Sequence, residues 1–289
     1  MTQSSFNQEL QKREGFRSEL CAAQAIAVRI WRVELSYPLS VLWFIAMPFV
    51  WLIPMLLTGN AVSGGPESVN LETLTGTSDW VSYVAIGTAV LGLTMSLMWG
   101  TANAFRREQN AGTLETLMTT PIKKGTLIWG ALLHNIQHGG LGVVLQLVGS
   151  MLLFGVSLNI WGILPALAII ALMVIGMQGI VLTLVCVVLL AKQGWMVIEF
   201  LASGLTLLAP MAYPLAVFPP IIQYIATASP LTWSVDAFRN FLIFGLAGPA
   251  ANQAVAALLI LDTIYLLIGM VLFKRTEKYV RSKGALTQF

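Results

Sequence analysis

Charge is what this sequence has least of. Asp, Glu, Lys and Arg together make up 10% of its 289 residues, against about 25% in soluble domains. So little charge cannot cover the surface of a water-soluble fold of this length, and that class is excluded. Cysteine is nearly absent: only Cys21 and Cys186 occur. Both fall on the expected cytoplasmic side or within an expected span, which argues against a disulfide framework. The apolar stretches lack period-two alternation, so an outer-membrane barrel is not indicated. No G-x-x-x-x-G-K-[ST] phosphate loop is present, and the chain is not its own ATPase by that mechanism. The N-terminus stays polar for over 30 residues without a short apolar core and a small-residue cleavage site, so no signal peptide is expected. Internal repeats are missing as well, which counts against an inverted-repeat secondary transporter.

What is present is hydrophobicity: 57% apolar residues and a mean hydropathy of +0.79. Runs near the ~20 residues that cross a bilayer recur along the chain, predicting an all-α, polytopic membrane protein. Between polar breaks there are six such segments, at 36–57, 80–104, 122–154, 162–190, 195–213 and 252–273. The third and fourth exceed one crossing, so they tilt or run past the surface. The domain organisation expected is a cytoplasmic tail and amphipathic helix over 1–35, a six-helix membrane domain over 36–273, and a cytoplasmic tail over 274–289.

Orientation follows from the basic residues. Lys12, Arg13, Arg17, Arg29 and Arg32 precede the first span, and Arg106, Arg107, Lys123 and Lys124 lie between the second and third. Lys192 separates the fourth and fifth, and Lys274, Arg275, Lys278, Arg281 and Lys283 follow the last. The opposite side holds only Arg239, a split of 15 to 1. Both termini are therefore expected in the cytoplasm of a cell whose plasma (inner) membrane the chain spans. The net charge of +3 suits anionic lipid headgroups and needs no nucleic-acid partner. The outer loop 58–79 is acidic and long enough for a small flap.

Within 16–35, Phe16, Leu20, Ala23, Ala27, Ile30 and Trp31 share one helical face, opposite Arg17, Arg29 and Arg32. This spacing suits a helix in the headgroup region. Glu19 sits at the edge of the apolar face and Glu34 falls back onto it, so an end or bend near Arg32 is expected. Two readings stay open: an anchor that orients the first span, or a lever that a partner contacts.

Residues 106–121, RREQNAGTLETLMTTP, interrupt the apolar chain with dense polar chemistry. Arg106, Arg107 and Glu108 end the second span, Gly112 permits a sharp turn and Thr113 suits a helix N-cap. Leu114, Leu117 and Met118 fall at i, i+3 and i+4, and Glu115 sits in the first turn where the helix dipole favours it. Thr120 and Pro121 then restart the chain as the third span. A short capped helix along the cytoplasmic surface is expected, where a link of two to eight residues would have sufficed.

This stretch resembles the cytoplasmic loop of type-2 ABC transporter permeases, approximately E-R-E-x-G-T-L-E-x-L followed by a small residue and Pro. Glu108, Gly112, Thr113, Leu114, Glu115, Leu117 and Pro121 match, whereas Gln109 and Asn110 replace the usual Arg and second Glu. The resemblance implies a coupling helix that docks on a separate nucleotide-binding subunit.

A second match lies at 203–245. Prolines 210, 214, 219, 220 and 230 forbid a continuous helix while the content stays apolar. Helical hairpin pieces dipping into the outer leaflet and buried against protein are expected. The family's P-L-x-x-x-P element corresponds to Pro214–Pro219, and its S/N-P-L-T-x-x-x-D-x-x-R element to Ser229, Pro230, Leu231, Thr232, Asp236 and Arg239. An ion pair of Asp236 with Arg239 at i, i+3 is expected, as a structural helix-end pair.

Inside the spans, Glu199 and Asp262 must face protein or water, since a carboxylate at the bilayer centre costs about 2.5–3.5 kcal/mol. They mark a pathway or proton-linked site, or structural positions. His134 and His138 are four apart, a spacing compatible with metal ligation. Asn135 follows His134, so the general base of H-E-x-x-H is missing, and a structural pair bonding through Gln137 or neighbouring helices is favoured.

The resemblance implies the permease subunit of an ABC exporter, working as a homodimer or as a heterodimer with a similar permease. It implies no catalytic or metal residue and no cofactor on this chain, with ATP and Mg on a partner ATPase. An amphipathic or lipid-like cargo (drug, lipid or lipid-linked glycan) suits the small outer loops and apolar interior. The competing classes are an intramembrane metalloenzyme using His134, His138 and Asp262, and a secondary transporter carrying protons on Asp262 and Glu199.

Overall fold

The computed structural model describes residues 16–101, 104, 112, 124–190, 194–245 and 251–283. Among them are ten α-helices and no strand; the only extended pairing is an isolated bridge between Glu67 and Asp79. A chain that must satisfy every backbone group without water has this outcome dictated to it.

α1 spans Phe16–Leu35 and α2 spans Pro38–Ser63. The break between them is a turn at Ser36–Tyr37, set by Pro38 at the first helical position. α1, expected to end or bend near Arg32, ends three residues later at Leu35. α2 carries Pro48 and Pro54 inside it, is capped by Gly64 in the left-handed conformation, and runs six residues past the end of the expected first span. The loop beyond it holds the short α3, Val69–Thr75, capped by Ser68, whose hydroxyl accepts from the Leu71 N–H. A small flap is expected in this loop, and α3 is its one helix.

α4, Trp80–Met95, starts on Asp79, whose carboxylate accepts from the Ser82 N–H at 2.9 Å. It continues through a π-helical turn at Ser96–Gly100. α5 spans Lys124–Phe154, α6 spans Ile163–Leu190 behind a 3-10 turn at Ile160–Gly162, and α7 spans Gly194–Leu208. After a second 3-10 turn at Leu215–Val217 come α8, Pro220–Thr227, α9, Pro230–Phe244, and α10, Ala251–Lys283.

Among the described residues, five helices are long and apolar enough to cross a membrane: Pro38–Ser63, Trp80–Gly100, Gly125–Phe154, Ile160–Val187 and Asn252–Thr276. The expected fifth span differs. α7 has 15 residues and stops at Leu208, five short of the expected end, because Pro210 cannot continue a helix. α10 departs the other way: nothing breaks it at 273, and it continues as one helix to Lys283, into the expected tail.

α4 is the central element. Ile86, Val90, Leu93, Leu97 and Met98 are fully buried against Met173, Met177 and Val181 of α6, Leu231 and Val235 of α9, and Ile198 of α7. α2 is the reverse: only Leu52 and Leu56 are buried, Phe44, Phe49 and Met55 are partly buried, and Leu39, Leu42, Trp43, Val50, Trp51 and Leu57 are exposed. In lipid that exposure carries no hydrophobic penalty, since hydrocarbon tails are as apolar as leucine.

Candidate functional site

The segment from Pro210 to Gly245 is held by one buried cation. Once α7 ends, the carbonyls of Pro210 and Met211 have no helix to enter. Arg239 reaches back from α9 to serve both: Nη2 donates to the Pro210 carbonyl at 2.7 Å and to the Met211 carbonyl at 2.8 Å. Nε donates to the Tyr83 carbonyl of α4 at 3.1 Å, and the guanidinium carbon stands 3.5 Å from the centre of the Tyr83 ring. Arg239 is 4% exposed. The expected pair with Asp236 is present, Nη1 to Oδ1 at 3.7 Å, but it is the loosest of these contacts. Sequence spacing pointed to the i, i+3 neighbour; the carbonyls that occupy the guanidinium belong to other elements.

Gly87 makes this close approach possible. A Cβ there would stand 1.8 Å from the Met211 carbonyl oxygen and 2.2 Å from Arg239 Nη2. The α8–α9 corner is stapled by its own side chains. Thr232 donates to the Ala226 carbonyl at 2.7 Å, the Trp233 indole N–H to the Thr227 carbonyl at 2.8 Å, and the Ser229 hydroxyl accepts from the Leu231 N–H. Tyr265 of α10 donates its hydroxyl to the Ala228 carbonyl at 3.0 Å. Pro230 opens α9, Pro219 caps α8, and Pro214 precedes the 3-10 turn. Pro214 and Pro230 are buried and Pro219 is exposed. The prolines expected to break the helix thus mark its joints.

A second polar constellation joins α1 to α5. α1 packs lengthwise and in parallel along the first turns of α5, burying Ala23, Ile26, Ala27 and Ile30. Glu19 meets the Thr126 hydroxyl, the Trp31 indole N–H donates to Gln137 Oε1 at 2.9 Å, and Glu34 Oε2 lies 3.1 Å from His134 Nε2 and 4.0 Å from His138 Nε2. Glu34 looked misplaced on an apolar face; its partner explains it. Leu20, assigned to that face, is instead 53% exposed. The two histidines bond to the neighbouring helix, as expected of a structural pair, while Gln137 bonds to Trp31 rather than to either histidine. Phe44 of α2 closes the cluster, its ring 4.3 Å from that of His138.

Asp262 sits on the face of α10 that packs against α6. It is 4% exposed, and neither carboxylate oxygen has a hydrogen-bond partner. A Cβ on Gly176 of α6 would lie 1.7 Å from Asp262 Oδ1. Glu199 is exposed on α7, where Ser203 donates to it at 3.3 Å. Among the described residues no three His, Cys, Asp or Glu side chains are grouped to hold a metal ion.

Of the expected coupling helix, Glu108, Thr113, Leu114, Glu115, Leu117, Met118 and Pro121 lie outside the described residues. Gly112 is described. It is exposed, with φ of +67°, the left-handed conformation expected of a sharp turn there.

Among the described residues, a cation-held broken segment thus lies between α7 and α10, and a further helix is docked ahead of the first long apolar helix. The ABC-2 type transporter family model matches residues 22–243, more than half of the chain, and the chain belongs to that family. It is thus the membrane component of an ABC transporter, a permease and not itself a catalyst. Permeases of this family work with a cytoplasmic ABC ATPase. The comparison with curated proteins returned no match.

Proposed function

We propose that this chain is the permease subunit of an ABC exporter that moves an amphipathic or lipid-like substrate outward, driven by a separate ATPase subunit. The observation that carries the reading is the family match over residues 22–243, which includes both motif-bearing segments. Two copies, or one copy and a similar permease, enclose the pathway; the apolar face of α2, which the fold leaves uncovered, suits a helix facing lipid or a partner.

Charge parity supports six crossings. With the N-terminal cations inside and only five crossings, Lys274, Arg275 and Lys278 would emerge outside, against the positive-inside rule. A crossing by α7 restores them to the cytoplasm. Its 15 residues span about 22 Å at 1.5 Å per residue, short of a ~30 Å hydrocarbon core. The Arg239-held break would complete the crossing. The segment 210–245 then forms an outer gate with irregular backbone buried against protein.

In the cycle proposed, the ATPases close on ATP and press on residues 113–119, shifting the helices between inward-open and outward-open packings. ATP and Mg belong to the partner; this chain transmits movement. Pro214, Pro219, Pro230, Asp236 and Arg239 frame the gate, and Glu199 and Asp262 are the candidate pathway carboxylates.

The test is reconstitution of the chain with its partner P-loop ATPase, sought first in the neighbouring reading frames. Export of a fluorescent amphiphile or lipid that requires both subunits and ATP is expected. Transport driven by a pH gradient without the ATPase would overturn the reading in favour of a secondary transporter.

A further inference from the structure

α4 ends in a π-helical turn, Ser96–Gly100, a rare form often found at functional sites. The turn packs on α5, where it meets Asn135. Asn135 of α5 is 3% exposed and bonds in three directions. Its Nδ2 donates to Thr101 Oγ1 at 3.0 Å, its Oδ1 lies 3.3 Å from His134 Nδ1, and its backbone carbonyl accepts from the Ser96 hydroxyl at 3.1 Å. Its amide also fills the space over Gly100, where an added Cβ would lie 2.2 Å from Oδ1. His134, 2% exposed, passes the connection on through Nε2 to Glu34 of α1. Thr101, 1% exposed, adjoins the segment at 102–123 that contains the proposed coupling helix.

A chain of polar contacts therefore runs from α1 through α5 to the cytoplasmic end of α4, part-exposed at Glu34 and buried at His134, Asn135 and Thr101. Buried polar groups of this kind are costly to leave unpaired, so the helices they join move together or break the bonds together. An apolar interface would permit sliding; this one fixes register.

We infer that Asn135 is a positioning residue that ties the N-terminal helix to the cytoplasmic end of α4, so that movement imposed at the ATPase-facing segment is carried into α1. The inference rests on the proposed function and adds the route by which α1 takes part. Neither end touches substrate. The hydroxyl of Thr101 and the amide of Asn135 are the links, and each can be removed at nearly constant volume.

Cys21 offers a reporter, since it is exposed on α1 whereas Cys186 is buried. An environment-sensitive fluorophore is placed on Cys21 in a Cys186→Ser background, and the labelled chain is assembled with its ATPase. ATP should shift the signal in the parent protein. Thr101→Val and Asn135→Leu should abolish the shift, with ATPase association and basal hydrolysis retained, while Thr101→Ser, which keeps the hydroxyl, should restore it. A shift of equal size in Thr101→Val, or no shift in the associated parent, overturns this inference alone. Failure of any ATPase to associate with the unlabelled parent overturns the functional reading and this inference with it.

Discussion

Arg239 lays its guanidinium 3.5 Å from the centre of the Tyr83 ring and donates Nε to the carbonyl of the same tyrosine at 3.1 Å. One side chain thereby fixes α9 to α4 and, through Nη2, holds the two carbonyls left free where α7 ends.

Removing that cation should cost heavily. Arg239→Met leaves the Pro210 and Met211 carbonyls buried without this donor, and loss of a buried charge-assisted network costs about 3–5 kcal/mol. Tyr83→Leu removes only the ring face, about 1–2 kcal/mol. Thermal unfolding in detergent should rank parent, Tyr83→Leu and Arg239→Met in falling order. Equal midpoints for Arg239→Met and the parent would contradict the assignment.

The α6–α10 crossing allows a pairwise test. Gly176→Ala drives a methyl into Asp262 Oδ1, and overpacking of this kind costs about 1–3 kcal/mol. Asp262→Ala removes the two closest atoms, so the double variant should recover most of the loss. Coupling of this size is expected only between residues in contact. Additive losses in the unfolding midpoint would show that the two do not meet.

Docking of α1 rests on small side chains. Ala27 is 1% exposed at the seam with α5. Ala27→Glu should release α1 from α5 without affecting insertion, raising the rate at which protease cuts within 16–35. The same rate as the parent would indicate that α1 is held by something other than this seam.

Gly112 should tolerate substitution by conformation rather than by size. No atom of the described residues lies within 4 Å of a Cβ built there, yet φ is +67°. Gly112→Asn should therefore be mild and Gly112→Val costly, by about 1–2 kcal/mol of local strain. The expected readout is ATPase stimulation, reduced in Gly112→Val and near normal in Gly112→Asn. Identical behaviour of both variants would remove the turn from the account.

The parts legible in the sequence were those governed by local rules. Hydropathy marked the five long apolar helices to within several residues at most ends, and prolines 214, 219 and 230 marked the joints of the broken segment. The turn at Gly112 was readable because left-handed backbone favours glycine. What the sequence left hidden depended on distant partners. Glu34 fell on the apolar face of α1 because its histidine lies on another helix, a hundred residues away. The pair of Asp236 with Arg239 was legible from spacing, but no periodicity reveals the carbonyls of Pro210 and Met211 that Arg239 also serves. The run of α10 on to Lys283 was hidden for a different reason: a change from apolar to charged residues marks a membrane boundary, and a helix can cross that boundary unbroken.

The central claim is that residues 113–119 receive the force of ATP hydrolysis from another subunit. Its most direct test is ATP hydrolysis by the assembled complex, with and without substrate, in Glu115→Arg and Leu117→Asp. The account predicts that both variants insert normally and either lose the ATPase or lose substrate stimulation. Stimulated hydrolysis and transport at parent levels in both variants would contradict it.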